Sequence, residues 1–432
     1  MLHRLRVRRS IGGGVLLLLL LTASPAGASE AAAELERRLS RNDLKGAIEF
    51  GNSVLAQHAN DARFREQFGR AFFTLAERMI RTDAPLEKID PVRQEAAKHL
   101  KAARADWGAV VPARIPLALS ILETALGNPE AGAATATSGL IDHRGHAELS
   151  RVRAQARMAL GEWDAAASDF ENVLKAKPGD VEATIGWART LGHRGRDCDA
   201  AAIVAQHCLQ PATNPARQNW RAHYEHARFQ ITCGAWELAE PSLAEAARLN
   251  PDSALVAIGH AEALYRLQRV DAAKAVVDLW LGPGKELPRP QKIQAHYRRG
   301  RIAVNENDAS RAITEFRAVL ALDRWHEGAL QGLGAQLLRS GEREEARTLL
   351  QRFRRVAPLA LDLRILRNTI RRNPQAPKPR LDLIDTLLKI PDAEAATQEF
   401  EEFRSRFPRH RGLAETAKKI EAVRQKQTGG GS

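Results

Sequence analysis

Residues 147–180 read AELSRVRAQARMALGEWDAAASDFENVLKAKPGD, and residues 220–253 read WRAHYEHARFQITCGAWELAEPSLAEAARLNPDS. Laid over each other, both have a small residue at the eighth place (Ala154, Ala227) and Gly at the fifteenth (Gly161, Gly234). Trp follows at the seventeenth (Trp163, Trp236), Ala at the twentieth (Ala166, Ala239) and an apolar residue at the twenty-fourth (Phe170, Leu243). Pro closes each unit at the thirty-second place (Pro178, Pro251). Small residues at the eighth and twentieth places let two antiparallel helices approach closely. Gly accepts the left-handed turn between them. Pro cannot donate the next backbone bond and is expected to end the second helix.

The same spacing recurs from residue 181 (Ala188, Gly195, Ala200), 254 (Ala261, Ala273), 293 (Gly300, Ala312, Phe316) and 327 (Gly334, Gly341, Ala346, Pro358). The intervals alternate between 34 and 39 residues, with the extra five falling in Pro-containing loops at 211–215 and 282–290. A terminal copy places Ala396, Phe400 and Pro408, and a copy near the N-terminus uses Ala47. Residues 62–146 read as helical but degenerate, anchored by Gly69 and Gly127. The pattern resembles the tetratricopeptide repeat family, whose unit is a helix–turn–helix of 34 residues. The resemblance implies an all-α, right-handed superhelical solenoid in which each repeat stacks only on its neighbours. Roughly eight to ten repeats would cover the chain after its first segment. Arg153, His226 and Arg299 depart from the pattern, standing in the first helices where an apolar residue is usual.

The organisation expected is a signal peptide over 1–28, degenerate helical repeats over 29–146 and a regular array over 147–360. An irregular basic connector over 361–379, a terminal repeat or cap over 380–424 and a flexible tail over 425–432 complete it. The first segment carries Arg4, Arg6, Arg8 and Arg9, an apolar run at 15–21 and the small residues Ala26, Gly27 and Ala28. That order is expected to direct export, with cleavage after about Ala28, into the periplasm of a Gram-negative bacterium. The run is shorter than the roughly 20 residues that span a bilayer. An uncleaved anchor is the alternative. The formal charge is +13, and the four arginines of this segment leave +9 for the rest. Such an excess suits acidic partners or an anionic surface. Export excludes nucleic acid.

No Gly-rich phosphate loop, Gly-x-Ser-x-Gly elbow or His-Glu-x-x-His motif occurs. His143/His146 and His223/His226 are pairs one helical turn apart, without a third ligand at plausible spacing, so no metal and no cofactor are expected. Of the three cysteines, Cys198 opens a second helix and Cys233 ends the first helix of the next repeat. In stacked tetratricopeptide repeats those two ends meet, which implies a Cys198–Cys233 disulfide in an oxidising compartment. Cys208, roughly 15 Å along the helix from Cys198, would then be free; three reduced thiols are the alternative.

In this family first helices line a concave binding surface. The resemblance therefore places Tyr224, Tyr265 and Tyr297 inward, with Arg189, Arg228 and Arg301 sharing one phase. AHYEHAR (222–228) and AHYRRGR (295–301) set a Tyr and an Arg four residues apart on one face. Packing of the tyrosines between neighbouring first helices is the competing reading. A second candidate is basic: Arg352, Arg354, Arg355, Arg364, Arg367, Arg371, Arg372, Lys378 and Arg380 stand against the single acid Asp362. It would meet an acidic protein, an anionic polysaccharide or a membrane surface; a solvated helix face is the plain alternative.

These features together imply a non-enzymatic periplasmic scaffold that binds protein partners of a cell-envelope assembly. Polysaccharide export comes first, with pilus or secretion machinery and cytochrome maturation as alternatives. Self-assembly of the array is a further one, and an enzyme would need a convergent acid or histidine cluster that the spacing does not offer.

Overall fold

A computed structural model describes residues 29–428, apart from 83, 211–213, 391 and 409. The expected signal peptide at 1–28 and the last four residues of the expected tail lie outside the described residues, as does part of the 211–215 loop. Among the described residues the fold is all helical and falls into two compact units, divided between Pro178 and Gly179.

The first unit holds α1 (Glu30–Ser40), α2 (Leu44–Val54), α3 (Ala62–Arg81), α4 (Leu86–Asp106), α5 (Arg114–Ala125), α6 (Pro129–Asp142), α7 (Ala147–Leu160) and α8 (Trp163–Ala176). Its regular pair α7–α8 is no separate lobe. Leu149 and Val152 of α7 lie in one core with Phe73, Ile115, Leu119 and Ala136, so residue 147 begins a repeat but not a packing unit.

The second unit holds α9 (Val181–His193), α10 (Asp197–Val204), α11 (Trp220–Thr232), α12 (Trp236–Leu249), α13 (Ala254–Arg266), α14 (Val270–Leu281) and α15 (Arg289–Asn305). It continues with α16 (Ala309–Leu322), α17 (Glu327–Ser340), α18 (Arg343–Arg372), α19 (Pro377–Lys389), α20 (Ala393–Arg406) and α21 (Leu413–Thr428). Here α10 runs on into a π turn, Ala205–Leu209. Each helix packs on its sequence neighbours, giving tetratricopeptide-like helix–turn–helix repeats. Among the described residues no helix is long and apolar enough to cross a membrane.

The repeat positions do the work their chemistry suggests. Ala154, Ala188, Ala227 and Ala261 at the eighth place are fully buried, as are Ala166, Ala200, Ala239, Ala273, Ala312 and Ala346 at the twentieth. Gly300 takes the eighth place where contact is tightest: a Cβ there would meet the Phe316 ring at 2.8 Å. The fifteenth place is left-handed in every regular repeat, at Gly161, Gly195, Gly234 and Gly341 but also at Gln268 and Asn307, with φ between 59° and 90°. Two repeats without a glycine thus make the same turn, at a steric cost of roughly 1 kcal/mol each. Several repeats open on side-chain caps; Asp180, for example, accepts from the Ala183 amide at 2.9 Å.

The polar departures in the first helices are paired inward. Arg153 grips Asp169 through Nε (2.9 Å) and Nη2 (2.6 Å), and His226 Nδ1 lies 2.9 Å from Ser242 Oγ. Arg299 Nε donates to Asp278 at 2.6 Å. Each satisfies a partner from a second helix.

Cys198 and Cys233 are bonded, with Cα atoms 5.7 Å apart, and tie the start of α10 to the end of α11. Cys208 is free and buried in the π turn, where burial pushes its thiol up to about 11.

Two expectations at the C-terminal end are corrected. Pro358 does not close a helix: α18 runs through it for 30 residues, so the irregular connector at 361–379 shrinks to the turn after Arg372. The proline removes one backbone bond, at about 3 kcal/mol. Beyond it Leu363 is buried, and Leu359, Leu366 and Ile370 pack on the core of Leu383, Ile384 and Leu387. Each side chain so covered is worth roughly 1.5–3 kcal/mol when fully buried, which outweighs the lost bond. The expected tail at 425–432 likewise begins inside α21, which extends to Thr428.

Candidate functional site

The second unit brings together six of the first-helix residues singled out by sequence, in two clusters. In one, Arg189 of α9 and Arg228 of α11 converge on Glu225, which sequence reading passed over. Arg189 Nη2 donates to Glu225 Oε1 at 2.6 Å, and Arg228 Nε donates to Oε2 at 2.8 Å. Burial opposes ionisation of Glu225, but the charges of the two arginines outweigh it and hold the carboxyl at about 2. Arg228 also lies over the Phe229 ring, 4.2 Å from its centroid. Tyr224 is half-buried against the core of Ala227, Ala239 and Leu243. The signal that could have revealed Glu225 is its place three residues before Arg228, which is one turn along the same face.

The other cluster joins α13 to α15. Tyr265 is only 7% exposed and does not present a free ring inward. Its ring is covered by two guanidiniums, Arg298 at 5.0 Å and Arg301 at 5.1 Å from the centroid, and its hydroxyl accepts from Asn305 at 3.3 Å. Tyr297 packs on Phe316 and His326, with centroids 6.1 and 4.7 Å away, so it too is partly a packing residue. Arg298 is 6% exposed and pairs with Glu262, which also accepts from Arg266 Nε at 2.7 Å. Burial, and then the neighbouring charge of Arg301, push Arg298 down to about 10. Its Nη1 is buried without a hydrogen-bond partner. Among the described residues Arg301 is half-buried and has no carboxylate partner. Arg298 and Arg266 therefore share the Glu262 carboxylate, while Arg301, stacked with Arg298 on the same tyrosine, is left without one.

The basic stretch is not one continuous field. Arg380 is 4% exposed and belongs to the interior, paired with Glu402 at 3.1 Å and Glu399 at 3.9 Å. Arg352 lies over the Trp325 ring at 5.4 Å and donates to the Arg324 carbonyl. Arg354, Arg355, Arg364, Arg367 and Lys378 are exposed. The side chains of Arg371 and Arg372 lie outside the described ones. The histidine pairs are engaged locally: His143 with the Val111 carbonyl (2.7 Å), His223 with the Arg217 carbonyl (2.9 Å), and His146 as a cap on the Leu149 amide.

Residues 151–215 match the tetratricopeptide repeat family. No curated protein matches the chain. Solved structures that resemble it include a tetratricopeptide repeat protein from Parabacteroides merdae, at 16% identity, covering 62% of this chain and 98% of that one with a TM-score of 0.41. PilF of Pseudomonas aeruginosa matches at 15% identity over 51% of this chain and 95% of that one, TM-score 0.43. The type IV pilus biogenesis factor PilW matches at 18% identity over 52% and 100%, TM-score 0.43.

Proposed function

We propose that this chain, in which residues 151–215 match the tetratricopeptide repeat family, is a non-catalytic adaptor of the cell envelope that holds an acidic segment of a partner protein against α13 and α15. The observation that carries this reading is the pair Arg298–Arg301 over Tyr265, whose nearest carboxylate, Glu262, is taken by Arg298 and Arg266 and leaves Arg301 without one. Two like charges in a partly desolvated site repel each other, and a carboxylate placed beside Arg301 relieves that repulsion. Arginine offers such a ligand two parallel donors, and Tyr297 supplies an aromatic flank.

The envelope location rests on the basic, apolar and small-residue order of residues 4–28, and the Cys198–Cys233 bond supports it, since disulfides persist in oxidising compartments. Osmotic-shock fractionation tests it: release of a chain beginning near residue 29 is expected, and a chain retained in the cytoplasm with Met1 intact would sink that part.

Binding is tested by panning a display library of short peptides on the full chain. Peptides rich in Asp and Glu should be enriched. A selected peptide should bind Arg301→Gln about 10- to 100-fold more weakly, the range for a charge-assisted hydrogen bond, and bind Arg228→Gln unchanged. A selection with no acidic preference would overturn the reading.

A further inference from the structure

The long helix α18 carries a second basic surface, distinct from the Arg298–Arg301 site. Its inner face is committed, with Val356 and Leu363 buried in the core. Positions 354, 358, 361 and 365 follow one another by four, three and four residues and so share the opposite face. On it Leu361 is 52% and Ile365 51% exposed, one turn apart, so that the two form a small apolar pair. Pro358 is exposed between them and Arg354. Arg354, Arg355 and Arg364 surround the pair, and among the described residues none of the three meets a carboxylate. Asp362 is the only acid from residue 346 to 381.

We propose that this outer face of α18 docks on an anionic phospholipid surface. A helix rooted in the core by one side presents a convex ridge. A folded partner would need a groove cut to that ridge, whereas a headgroup layer deforms around it. Lipid phosphates can then meet each guanidinium while the tips of Leu361 and Ile365 pass below them. Proline at 358 leaves the ridge unbroken, because α18 continues through it.

The test is co-sedimentation of the full chain with vesicles of phosphatidylcholine alone or mixed with phosphatidylglycerol. Binding is expected only to the mixed vesicles, weakening as salt rises. The variant Arg354→Gln/Arg355→Gln/Arg364→Gln should bind about 100-fold more weakly, since each charge near the surface contributes about a fivefold gain. Leu361→Ser/Ile365→Ser should lose several-fold, and Arg301→Gln should bind as the wild type does. All of these side chains are at least partly exposed, so unchanged far-ultraviolet circular dichroism is expected throughout. Equal binding by the wild type and the triple arginine variant would assign any membrane affinity to the apolar run at 15–21 and overturn the proposal. So would failure to bind mixed vesicles, or capture by an immobilised acidic peptide that the triple variant loses while vesicle binding is absent.

Discussion

Arg189, Glu225 and Arg228 on one side, and Glu262, Arg298 and Arg301 on the other, are the same two residue types in the same three repeat positions. Only their order differs. In the first trio the carboxylate stands between the two guanidiniums and both reach it, at 2.6 and 2.8 Å. In the second the carboxylate stands at one end, is shared with Arg266, and leaves Arg301 beside another cation. Composition and local charge are equal, yet one trio is closed on itself and the other has a free valence for an anion. The arrangement of charges across neighbouring helices, not their sum, distinguishes the structural network from the proposed binding site.

The largest effect is expected from breaking the closed trio. Glu225→Gln leaves two partly buried arginines without their carboxylate and should cost about 3 kcal/mol in urea unfolding at neutral pH, the low end for a broken buried pair because both guanidiniums keep some water. The folded carboxyl titrates at about 2 against an ordinary 4.5, so its contribution is complete above the ordinary value and is lost as pH falls toward the lower one. The gap between wild type and Glu225→Gln should therefore close on acidification through that window. A gap that stays constant down to the acid limit would mean Glu225 is not held by its arginines.

Reordering the open trio is the next test. Glu262→Arg with Arg298→Glu recreates the Arg–Glu–Arg order and should bring Arg301 a carboxylate within its own molecule. Affinity for an acidic peptide, followed by fluorescence anisotropy, should fall about 10- to 100-fold. Retained affinity in the reordered variant would place the peptide elsewhere. The smallest effect compares the two arginines in matching positions. Arg228→Gln should lower stability by about 1 kcal/mol, whereas Arg301→Gln removes a like-charge neighbour of Arg298 and should be neutral or stabilising by about 0.5 kcal/mol. Equal losses in the two variants would erase the distinction between the trios.

The helix pairs were legible because the features that make them are local. Small residues at the eighth and twentieth places and, in most repeats, a glycine at the fifteenth recur within 34 residues, and the resemblance of that spacing to the tetratricopeptide family implied close antiparallel packing. The Cys198–Cys233 pair could be selected on the same basis, since stacking of adjacent repeats brings a second-helix start to a first-helix end. The candidate site was legible only as a set of positions. Tyr265 and Tyr297 stood out as rare aromatics in first helices, but nothing local told that Arg298 and Arg301 would cover the one, or that Phe316 and His326 would pack on the other.

What the sequence by itself determined, then, is the all-helical repeat and its turns, because each depends on backbone preference and side-chain size within a few residues. The left-handed turns at Gln268 and Asn307 show how firmly the surrounding pattern imposes them. Tertiary structure alone decided the fate of the charges and of Pro358. Arg189 finds Glu225 from 36 residues away. Arg380 leaves the basic stretch for the interior because Glu402 is there to receive it. Helix α18 passes its proline because the core of α19 and α20 rewards the apolar residues beyond. Coulomb attraction and burial act between neighbours in space, and those neighbours exist only once the repeats have stacked.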